Sequence, residues 1–281
     1  MRVTILGATG FVGRHLATAL RARGDEVVAV SLRDPAHAAR ICRGSAAVIN
    51  LAGAAVSKRW TQAHKRDIER SRVDLPHAFI DALAAADTRP ACYVSASAIG
   101  YYGRSTTATF TEASPPGSDF LARVCVEWEA GARRAAGLGM QVAVVRTGLV
   151  LGADGGALTK LLPIFRIGLG GVVAGGDQWY SWIHIDDLVG IYLRAIDGYD
   201  GALNATAPTP VTNREFTAAL GTAVHRPTFL PTPGFAIALF LGEGAVLVTE
   251  GQRVLPEATL ASGYRFKYPT LLPALEAITA A

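Results

Sequence analysis

Val3-Thr4-Ile5-Leu6-Gly7-Ala8-Thr9-Gly10-Phe11-Val12-Gly13, near the start of the chain, is the stretch that decides the fold. A short buried strand runs into three glycines spaced three residues apart, and a helix of about residues 12–23 follows. In such a unit the first glycine permits a tight turn, the second lets the backbone approach a pyrophosphate, and the third lets the helix pack on the sheet. The helix N-terminus adds free N–H groups and partial positive charge. The pattern predicts a dinucleotide-binding loop, rather than a merely structural turn, made by Gly7, Thr9, Gly10, Phe11, Val12 and Gly13.

The first half of the chain alternates strand-like and helix-like segments. After the first strand and helix, strands are predicted at about residues 27–30, 47–51, 92–95 and 141–150. Helices are predicted between them, at about residues 35–42, 61–85 and 118–137. This alternation is typical of a parallel sheet with crossover helices. We therefore expect an α/β fold built on a Rossmann-like, doubly wound parallel sheet.

The sequence changes in character after residue 150. Glycine-rich and proline-rich stretches at 168–176, 208–210 and 227–233 separate short helices and strands. A lobe of this kind on a nucleotide-binding sheet usually holds the substrate. We expect residues 1–150 to form the dinucleotide-binding Rossmann core, with later segments returning to it. Residues 151–281 are expected to form a smaller α+β substrate-side lobe, including a small C-terminal domain from about residue 228.

Composition excludes several classes of protein. Half of the 281 residues are apolar, enough to bury a large core, which excludes a disordered chain. Three scattered cysteines form no C-x-x-C pair, and no two histidines have metal-ligand spacing, so no metal is expected. The N-terminal apolar run is too short for a signal peptide, and residues 235–248 are too few for a bilayer span, which favours a cytoplasmic protein without a membrane partner. The net charge of +4 is spread along the chain without a nucleic-acid-binding motif, so no nucleic-acid partner is expected.

The end of the second strand indicates the form of the dinucleotide. An NAD-preferring site usually has Asp or Glu there, accepting a hydrogen bond from the ribose 2′-hydroxyl. This strand ends Val30-Ser31-Leu32-Arg33, and Asp34 comes one residue later. Ser31 can hydrogen-bond a 2′-phosphate, and Arg33 can pair with it or stack on the adenine, although a solvated loop arginine is the alternative. The sequence favours NADP.

Several longer motifs are distributed over the chain. They are Asn50–Ala54, Lys58–Thr61, Ser71–Arg72, Ser95–Gly103, Arg146–Gly152, Phe165–Gly171, Ser181–Leu188 and Glu250–Pro256. Together they resemble the atypical extended short-chain dehydrogenases/reductases, an NAD-dependent epimerase/dehydratase-like (nucleoside-diphosphate-sugar epimerase-like) family with a C-terminal domain of unknown function. The resemblance runs from residue 1 to about residue 275.

The resemblance implies further cofactor contacts by Leu51, Ala52, Gly53, Arg72 and Val150. The first three would pass beneath the cofactor, and Val150 would lie by the nicotinamide. Arg72, on the long helix, would lie near the cofactor unless it is an ordinary exposed arginine. One departure is that only 16 residues, 34–49, separate the second strand from the Asn50 motif. A strand common in such folds is therefore expected to be short or missing there, which puts adenine contacts from this region in doubt.

The residues for catalysis depart from the family pattern. Active short-chain dehydrogenases use a tyrosine as acid/base, a lysine four residues later, and a serine or threonine that polarises the substrate carbonyl. None of the four lysines here has a tyrosine four residues before it. Cys125, on the corresponding helix, is interpreted as a buried thiol rather than a nucleophile. The remaining catalytic candidates are Ser97, Tyr101 and Tyr102, with packing under the C-terminal lobe as the alternative for both tyrosines.

The second lobe contains one polar and aromatic cluster, around His184, Asp186 and Asp187. The resemblance implies that these residues fix loops and helix caps, with substrate contact as the less favoured reading. Gln252 and Arg253 are a candidate clamp for an anionic substrate, since arginine pairs with planar oxyanions through two hydrogen bonds. An intramolecular salt bridge is an equal alternative.

The sequence thus leads to two functional hypotheses. The first is an NADP-binding oxidoreductase, or a sugar-nucleotide epimerase-like protein, that is weak or atypical as an enzyme because it lacks the Tyr-x-x-x-Lys pair. Its partner would be an unidentified small polar substrate, with a nucleotide-linked sugar as one candidate. The alternative is a catalytically silent NADP(H)-binding protein with a redox-sensing or regulatory role. An oligomer is compatible with either hypothesis.

Overall fold

The computed structural model describes residues 1–280, apart from the side chains at positions 236, 240 and 241. Its strands are β1 (Arg2–Leu6), β2 (Glu26–Val30), β3 (Ala47–Asn50), β4 (Cys92–Ala98), β5 (Thr109–Phe110), β6 (Gln141–Thr147), β7 (Leu149–Gly152), β8 (Gly155–Gly156), β9 (Trp179–Tyr180), β10 (Trp182–His184), β11 (Gly201–Ala205), β12 (Val211–Thr212) and β13 (Arg253–Val254). Its α-helices are α1 (Phe11–Ala22), α2 (Pro35–Ile41), α3 (Gln62–Glu69), α4 (Leu75–Ala84), α5 (Phe120–Arg133), α6 (Leu158–Arg166), α7 (Ile185–Ile196), α8 (Asn213–Ala223), α9 (Gly234–Leu241), α10 (Val246–Thr249), α11 (Glu257–Ala261) and α12 (Leu271–Thr279). There are 3₁₀ turns at Ile99–Tyr102, Arg134–Leu138 and Glu243–Ala245, and a π-helical turn at Arg70–Asp74.

Six parallel strands form the central sheet, in the order β11-β6-β4-β3-β1-β2. Next to the β2 edge of the sheet, Ile5 of β1 pairs with Ala29 of β2 and Ile49 of β3. Helices cover both faces, as a parallel sheet requires. α1 and α7 pack on one face, and α2, α4 and α5 pack on the other. The predicted α/β, doubly wound Rossmann-like fold is confirmed.

The carboxyl ends of these strands meet at one edge of the sheet. The glycine loop follows β1, the Ser31–Arg33 segment follows β2, and Leu51–Gly53 follows β3. The 3₁₀ turn that carries both candidate tyrosines follows β4. Ligands of open α/β sheets bind outside this edge. The topology therefore brings the candidate residues of the first half of the chain to one side of the molecule.

The strand predicted at residues 141–150 is two strands, so that prediction was wrong in its extent. β6 ends at Thr147 and β7 begins at Leu149. A Cβ atom on the intervening Gly148 would lie 2.3 Å from the carbonyl oxygen of Ser181, so only glycine allows the two backbones to approach. After this point β7 leaves the central sheet and pairs with β10.

Two other features of the first half bear on the site. Between β2 and β3, a part of the chain that is described throughout, the structure has α2 and no strand, as the short interval of residues 34–49 predicts. The long helix predicted at residues 61–85 is interrupted by the π-helical turn at Arg70–Asp74, which separates α3 from α4. Such turns are frequent at functional sites.

The second half builds its own core and also extends the central sheet. β7, β8 and β10 form a small sheet, and α6, α8 and α12 pack with it around Trp182, Phe216 and Leu275. By contrast, β11 is an edge strand of the central sheet, and α7 packs on a face of that sheet. The division of the chain at residue 150 stays a prediction. Within residues 1–280, no helix is long and apolar enough to cross a membrane.

Candidate functional site

The glycine loop closes tightly between β1 and α1. Gly7 has a positive φ of 89°, and the Gly10 N–H donates to its carbonyl oxygen at 3.1 Å. A Cβ atom on Gly13 would lie 2.4 Å from the same oxygen, so the first turn of α1 packs directly on the loop. No side chain caps the α1 N-terminus among the described residues. Its first N–H groups are left for an anion, as a phosphate-binding loop requires.

A hairpin from the second half of the chain holds this loop in place. Gly155 lies in the turn formed by β7 and β8, and a Cβ atom on it would be 2.2 Å from the Phe11 ring. The ring therefore occupies the space that a side chain at Gly155 would need. Asp154, in the same turn, accepts hydrogen bonds from His15 at 2.8 Å and Arg14 at 3.2 Å. The hydrogen bond from His15 lowers the pKa of Asp154 below its ordinary value. The Phe11 ring therefore packs under the hairpin, which leaves only its backbone for the predicted site.

The segment after β3 lies against the glycine loop. A Cβ atom on Gly7 would lie 3.0 Å from the Ala52 nitrogen and 3.1 Å from the Leu51 oxygen. Gly53 is exposed beyond them. Val150 lies near Phe11 of the loop, since its carbonyl oxygen and the Phe11 ring both flank Gly156. The structure thus gathers the residues that the resemblance implied around the glycine loop.

Arg72 approaches the same segment from the π-helical turn. A Cβ atom on Gly53 would lie 3.1 Å from the Arg72 guanidinium carbon. The guanidinium lies over the Trp128 ring, with 5.2 Å from its carbon to the ring centre. Arg72 is half-buried between Gly53 and Trp128, so it is not an ordinary exposed helix residue.

The tip of β2 presents Ser31 and Arg33 to solvent. The nearest following carboxylate, Asp34, accepts a hydrogen bond from the His37 N–H at 2.9 Å and so caps α2. Asp34 is therefore engaged at a helix N-terminus. In this described segment, the only side chains at the strand tip that can contact a ligand are the Ser31 hydroxyl and the Arg33 guanidinium. The arrangement suits a phosphate better than a ribose hydroxyl.

Ser97 belongs to a buried ionic network. Its hydroxyl donates to Glu129 at 2.8 Å, and Arg146 donates to both oxygens of the same carboxylate at 2.8 Å each. Glu129 and Arg146 are 1% and 2% exposed. Burial disfavours the charge of Arg146, but its hydrogen bonds and ion pair with Glu129 outweigh burial and raise its pKa. The network ties β4, α5 and β6 together.

Tyr102 extends this network. Its hydroxyl donates to Asn204 at 2.6 Å and accepts from Arg146 at 2.9 Å, and its ring stacks on Phe110. Burial raises the pKa of Tyr102 to about 12, which makes it a poor base at neutral pH. The geometry therefore does not support the expected catalytic roles of Ser97 and Tyr102, because the hydrogen bonds of both hydroxyls are committed inside the protein.

Tyr101 is placed differently from its neighbour. Its half-buried ring covers the Arg146 guanidinium, 3.6 Å from the guanidinium carbon to the ring centre, and meets Tyr102 edge-on. Among residues 1–280 its hydroxyl has no hydrogen-bond partner, so it can serve a ligand. Cys125 is buried, and burial raises the pKa of its thiol to about 12, in line with an unreactive cysteine.

The polar cluster of the second lobe is used in structural contacts. The His184 ring caps α7 by accepting from the Asp186 N–H at 3.1 Å and lies on the Tyr268 ring. The carboxylate of Asp187 accepts from the backbone of Lys267 and Tyr268 and from the Tyr264 hydroxyl. Within residues 1–280, no group of three His, Cys, Asp or Glu side chains could hold a metal ion.

Gln252 and Arg253 differ in their availability to an anion. Gln252 is buried and donates to the Ile99 carbonyl at 2.9 Å. Arg253 donates to Thr109 at 3.2 Å and lies over the Trp179 ring. In the described part of the chain no carboxylate forms an ion pair with Arg253, so the expected alternative of an intramolecular salt bridge is not found.

Sequence reasoning assigned no role to Glu129, Arg146 or Asn204. Arg146 and Asn204 are polar residues within apolar stretches of β6 and β11, and Glu129 lies on the apolar face of α5, between Trp128 and Ala132. That contrast is a usable signal, because a charge on the buried face of an element needs a partner of opposite charge. The sequence does not show which residue the partner is.

Comparison with known proteins gives a consistent family. Residues 3–206 match the NAD dependent epimerase/dehydratase family, and residues 232–278 match a domain of unknown function, DUF1731. The chain is 42% identical over 302 residues to the chloroplastic epimerase family protein SDR39U1 homolog of Arabidopsis thaliana, covering 99% of this chain and 86% of that protein. It is 39% identical over 295 residues to human epimerase family protein SDR39U1, covering 100% of both.

Solved structures show the same similarity. The crystal structure of human SDR39U1 (isoform 2) with NADPH has a TM-score of 0.94 and 37% identity, covering 100% of this chain and 99% of that chain. A nucleoside-diphosphate sugar epimerase from Corynebacterium glutamicum has a TM-score of 0.82 and 32% identity, covering 99% of this chain and 58% of that chain. These matches agree with the resemblance drawn from the motifs, including the C-terminal domain.

Proposed function

The chain belongs to the NAD-dependent epimerase/dehydratase family, and on that premise we propose that it binds NADP(H) and acts on an alcohol or carbonyl carbon of a small polar substrate. The observation that carries the proposal is the closed glycine loop, in which Gly7 and Gly13 leave room for no other residue. Uncapped N–H groups of α1 face the place where a pyrophosphate would lie. The residues present therefore fit a dinucleotide.

The preference for NADP(H) rests on the β2 tip. Arg33 can form charge-assisted hydrogen bonds with a 2′-phosphate, and Ser31 can donate another. The cap made by Asp34 on α2 keeps that carboxylate away from the strand tip. The human relative crystallised with NADPH lends support, since it aligns along the whole of this chain.

The cofactor would supply hydride transfer, and the chain's own residues would orient the reactants and move a proton. Leu51, Ala52 and Gly53 would form the floor beneath the cofactor, and Val150 would flank the nicotinamide. Tyr101 is the candidate proton donor because its hydroxyl is uncommitted and Arg146 fixes its ring. The similarity to the Corynebacterium glutamicum structure, which is named a nucleoside-diphosphate sugar epimerase, favours a nucleotide-linked sugar as substrate. Arg253 could bind the phosphates of such a molecule.

Turnover measurements on matched tyrosine variants test this assignment. With NADPH and a panel of carbonyl compounds and sugar nucleotides, Tyr101→Phe is expected to lower the turnover rate by roughly 10²–10⁴-fold, the usual contribution of a general acid or base. Tyr102→Phe should leave turnover within a few fold and lower the free energy of unfolding by about 1–3 kcal/mol, because it removes the buried hydrogen bonds that the hydroxyl makes with the Asn204 side-chain oxygen and with Arg146. NADPH oxidation and urea denaturation measure the two effects.

The same experiment separates the alternatives. Unchanged turnover in Tyr101→Phe would remove Tyr101 from the reaction. NADPH binding without turnover of any compound in the panel would support the alternative hypothesis of a catalytically silent redox-sensing protein, which the comparisons do not favour. Absence of NADPH binding would contradict the proposed function itself.

A further inference from the structure

The β7–β8 hairpin, residues 149–156, holds the glycine loop through the ring of Phe11. Gly152, Gly155 and Gly156 line the space that the ring fills. A Cβ atom on Gly152 would lie 2.6 Å from the ring, and one on Gly155 would overlap it. Phe11 is the first residue of α1, and the first N–H groups of a helix have no partner within it. The position of the ring therefore fixes the position of a donor in the phosphate-binding loop.

The same hairpin also holds the residue on the other side of Gly10. Asp154, in the turn of the hairpin, accepts a hydrogen bond from Arg14 at 3.2 Å. Arg14 donates in turn to the carbonyl oxygen of Thr9 at 3.3 Å. His15 donates to the other oxygen of the Asp154 carboxylate at 2.8 Å. Both neighbours of Gly10 are thus connected to one turn that comes from the second half of the chain.

The hairpin is itself anchored, so it can act as a support. β7 pairs with β10, which places Leu151 beside His184. Leu151 is fully buried in the core that the second half builds around Trp182. The loop that it supports is rich in glycine, and glycine loses more conformational freedom on ordering than any other residue. A contact that orders the loop before the dinucleotide arrives therefore lowers the cost of binding.

We propose that the β7–β8 hairpin sets the affinity for the dinucleotide, with Asp154 as the residue that positions the glycine loop for the pyrophosphate. This inference rests on the proposed function. The coupling is reciprocal, since a ligand that binds better when the hairpin is seated on the loop also favours the seated hairpin. β7 carries Val150, which would flank the nicotinamide. Bound cofactor therefore orders the substrate-side lobe at this point as well as its own loop.

Binding of cofactor fragments by calorimetry tests the assignment without any turnover. The probes are NADPH, 2′-phospho-ADP, which ends at the pyrophosphate, and 2′-AMP, which lacks the pyrophosphate. Asp154→Ala should bind NADPH and 2′-phospho-ADP about two- to five-fold more weakly than the wild type, because it removes a half-exposed ion pair. Gly155→Ala, which displaces the Phe11 ring, should weaken both by about ten-fold or more. The affinity for 2′-AMP should be unchanged in both variants.

Hydrogen exchange supplies a readout that a purely structural role would not change. Saturation of the wild type with 2′-phospho-ADP should slow amide exchange in residues 149–156, although this fragment ends before the nicotinamide. Gly155→Ala should lose most of this protection at saturation. Asp154→Glu keeps the carboxylate and should recover part of the affinity that Asp154→Ala loses.

Two control variants lie elsewhere in the second half of the chain. Asp177→Ala removes an exposed carboxylate, and Gly175→Ala adds a methyl group that would meet only the Asp177 carboxylate, at an ordinary 3.6 Å. Both should bind all three probes normally. Equal losses for 2′-AMP and NADPH, or unchanged NADPH affinity in both Asp154→Ala and Gly155→Ala, would overturn the inference. So would unchanged exchange in the hairpin when the wild type binds 2′-phospho-ADP. A wild type that binds none of the probes would instead contradict the proposed function.

Discussion

Glu129→Ala is expected to lower the free energy of unfolding by about 3–5 kcal/mol, because it leaves the Arg146 guanidinium buried without a counter-charge. Glu129 accepts two hydrogen bonds from Arg146, one from Ser97 and one from the exposed Arg133, and its side chain is fully buried. Breaking such a pair costs more than the pair contributes, since the remaining charge cannot return to water. Urea denaturation at neutral pH measures the change. It should also be visible as a lower melting temperature.

Two substitutions on the same helix serve as references. Glu127→Ala removes an exposed carboxylate and should change the free energy of unfolding by no more than about 0.5 kcal/mol. Glu129→Gln keeps the shape and one oxygen acceptor, and its effect should be intermediate. If Glu129→Ala were as stable as Glu127→Ala, the buried network would have no energetic role, and our explanation for the placement of Ser97 and Tyr102 would be wrong.

Gly13→Ala is expected to weaken NADPH binding by roughly 100-fold. The added methyl group would lie 2.4 Å from the Gly7 oxygen and 2.8 Å from the Ala8 Cα atom, so either α1 or the loop must move. Such a shift withdraws the N–H groups that the pyrophosphate requires. Calorimetry measures the affinity, and circular dichroism checks that the variant is folded.

Gly137→Ala is the matched control for this prediction. A Cβ atom at Gly137 would meet nothing within 4 Å, and its backbone has no positive φ. This variant should bind NADPH with wild-type affinity. Normal NADPH binding by a folded Gly13→Ala protein would show that the cofactor does not depend on the geometry of the glycine loop.

The sequence predicted those parts of the fold and site that depend on residues close to one another along the chain. Glycine spacing and apolar periodicity located β1, the loop and α1, because both signals act within a few residues. The short interval between β2 and β3 predicted a strand that is short or missing, and the structure has none in this fully described segment. The division of the strand at Gly148 could not be predicted, since it depends on contact with the backbone of Ser181.

The catalytic candidates show the same limit. Ser97 and Tyr102 carry hydroxyls at a strand end, which is where a reactive group is expected, but their partners come from distant segments. The hydrogen bond of Tyr102 joins residues 102 positions apart in the chain. Sequence position therefore identified the edge of the sheet where the site lies, whereas only the packing distinguishes Tyr101 from its neighbours.

Titration of the wild-type protein and Arg33→Ala with NADPH and NADH is the measurement that tests the central claim most directly. The wild type should bind NADPH about ten- to a hundred-fold more tightly than NADH, since a charge-assisted arginine–phosphate contact contributes roughly 1.5–3 kcal/mol. Arg33→Ala should lose most of this preference and bind NADH unchanged. Equal or tighter binding of NADH by the wild type would contradict the account of this protein as an NADP(H)-binding member of its family.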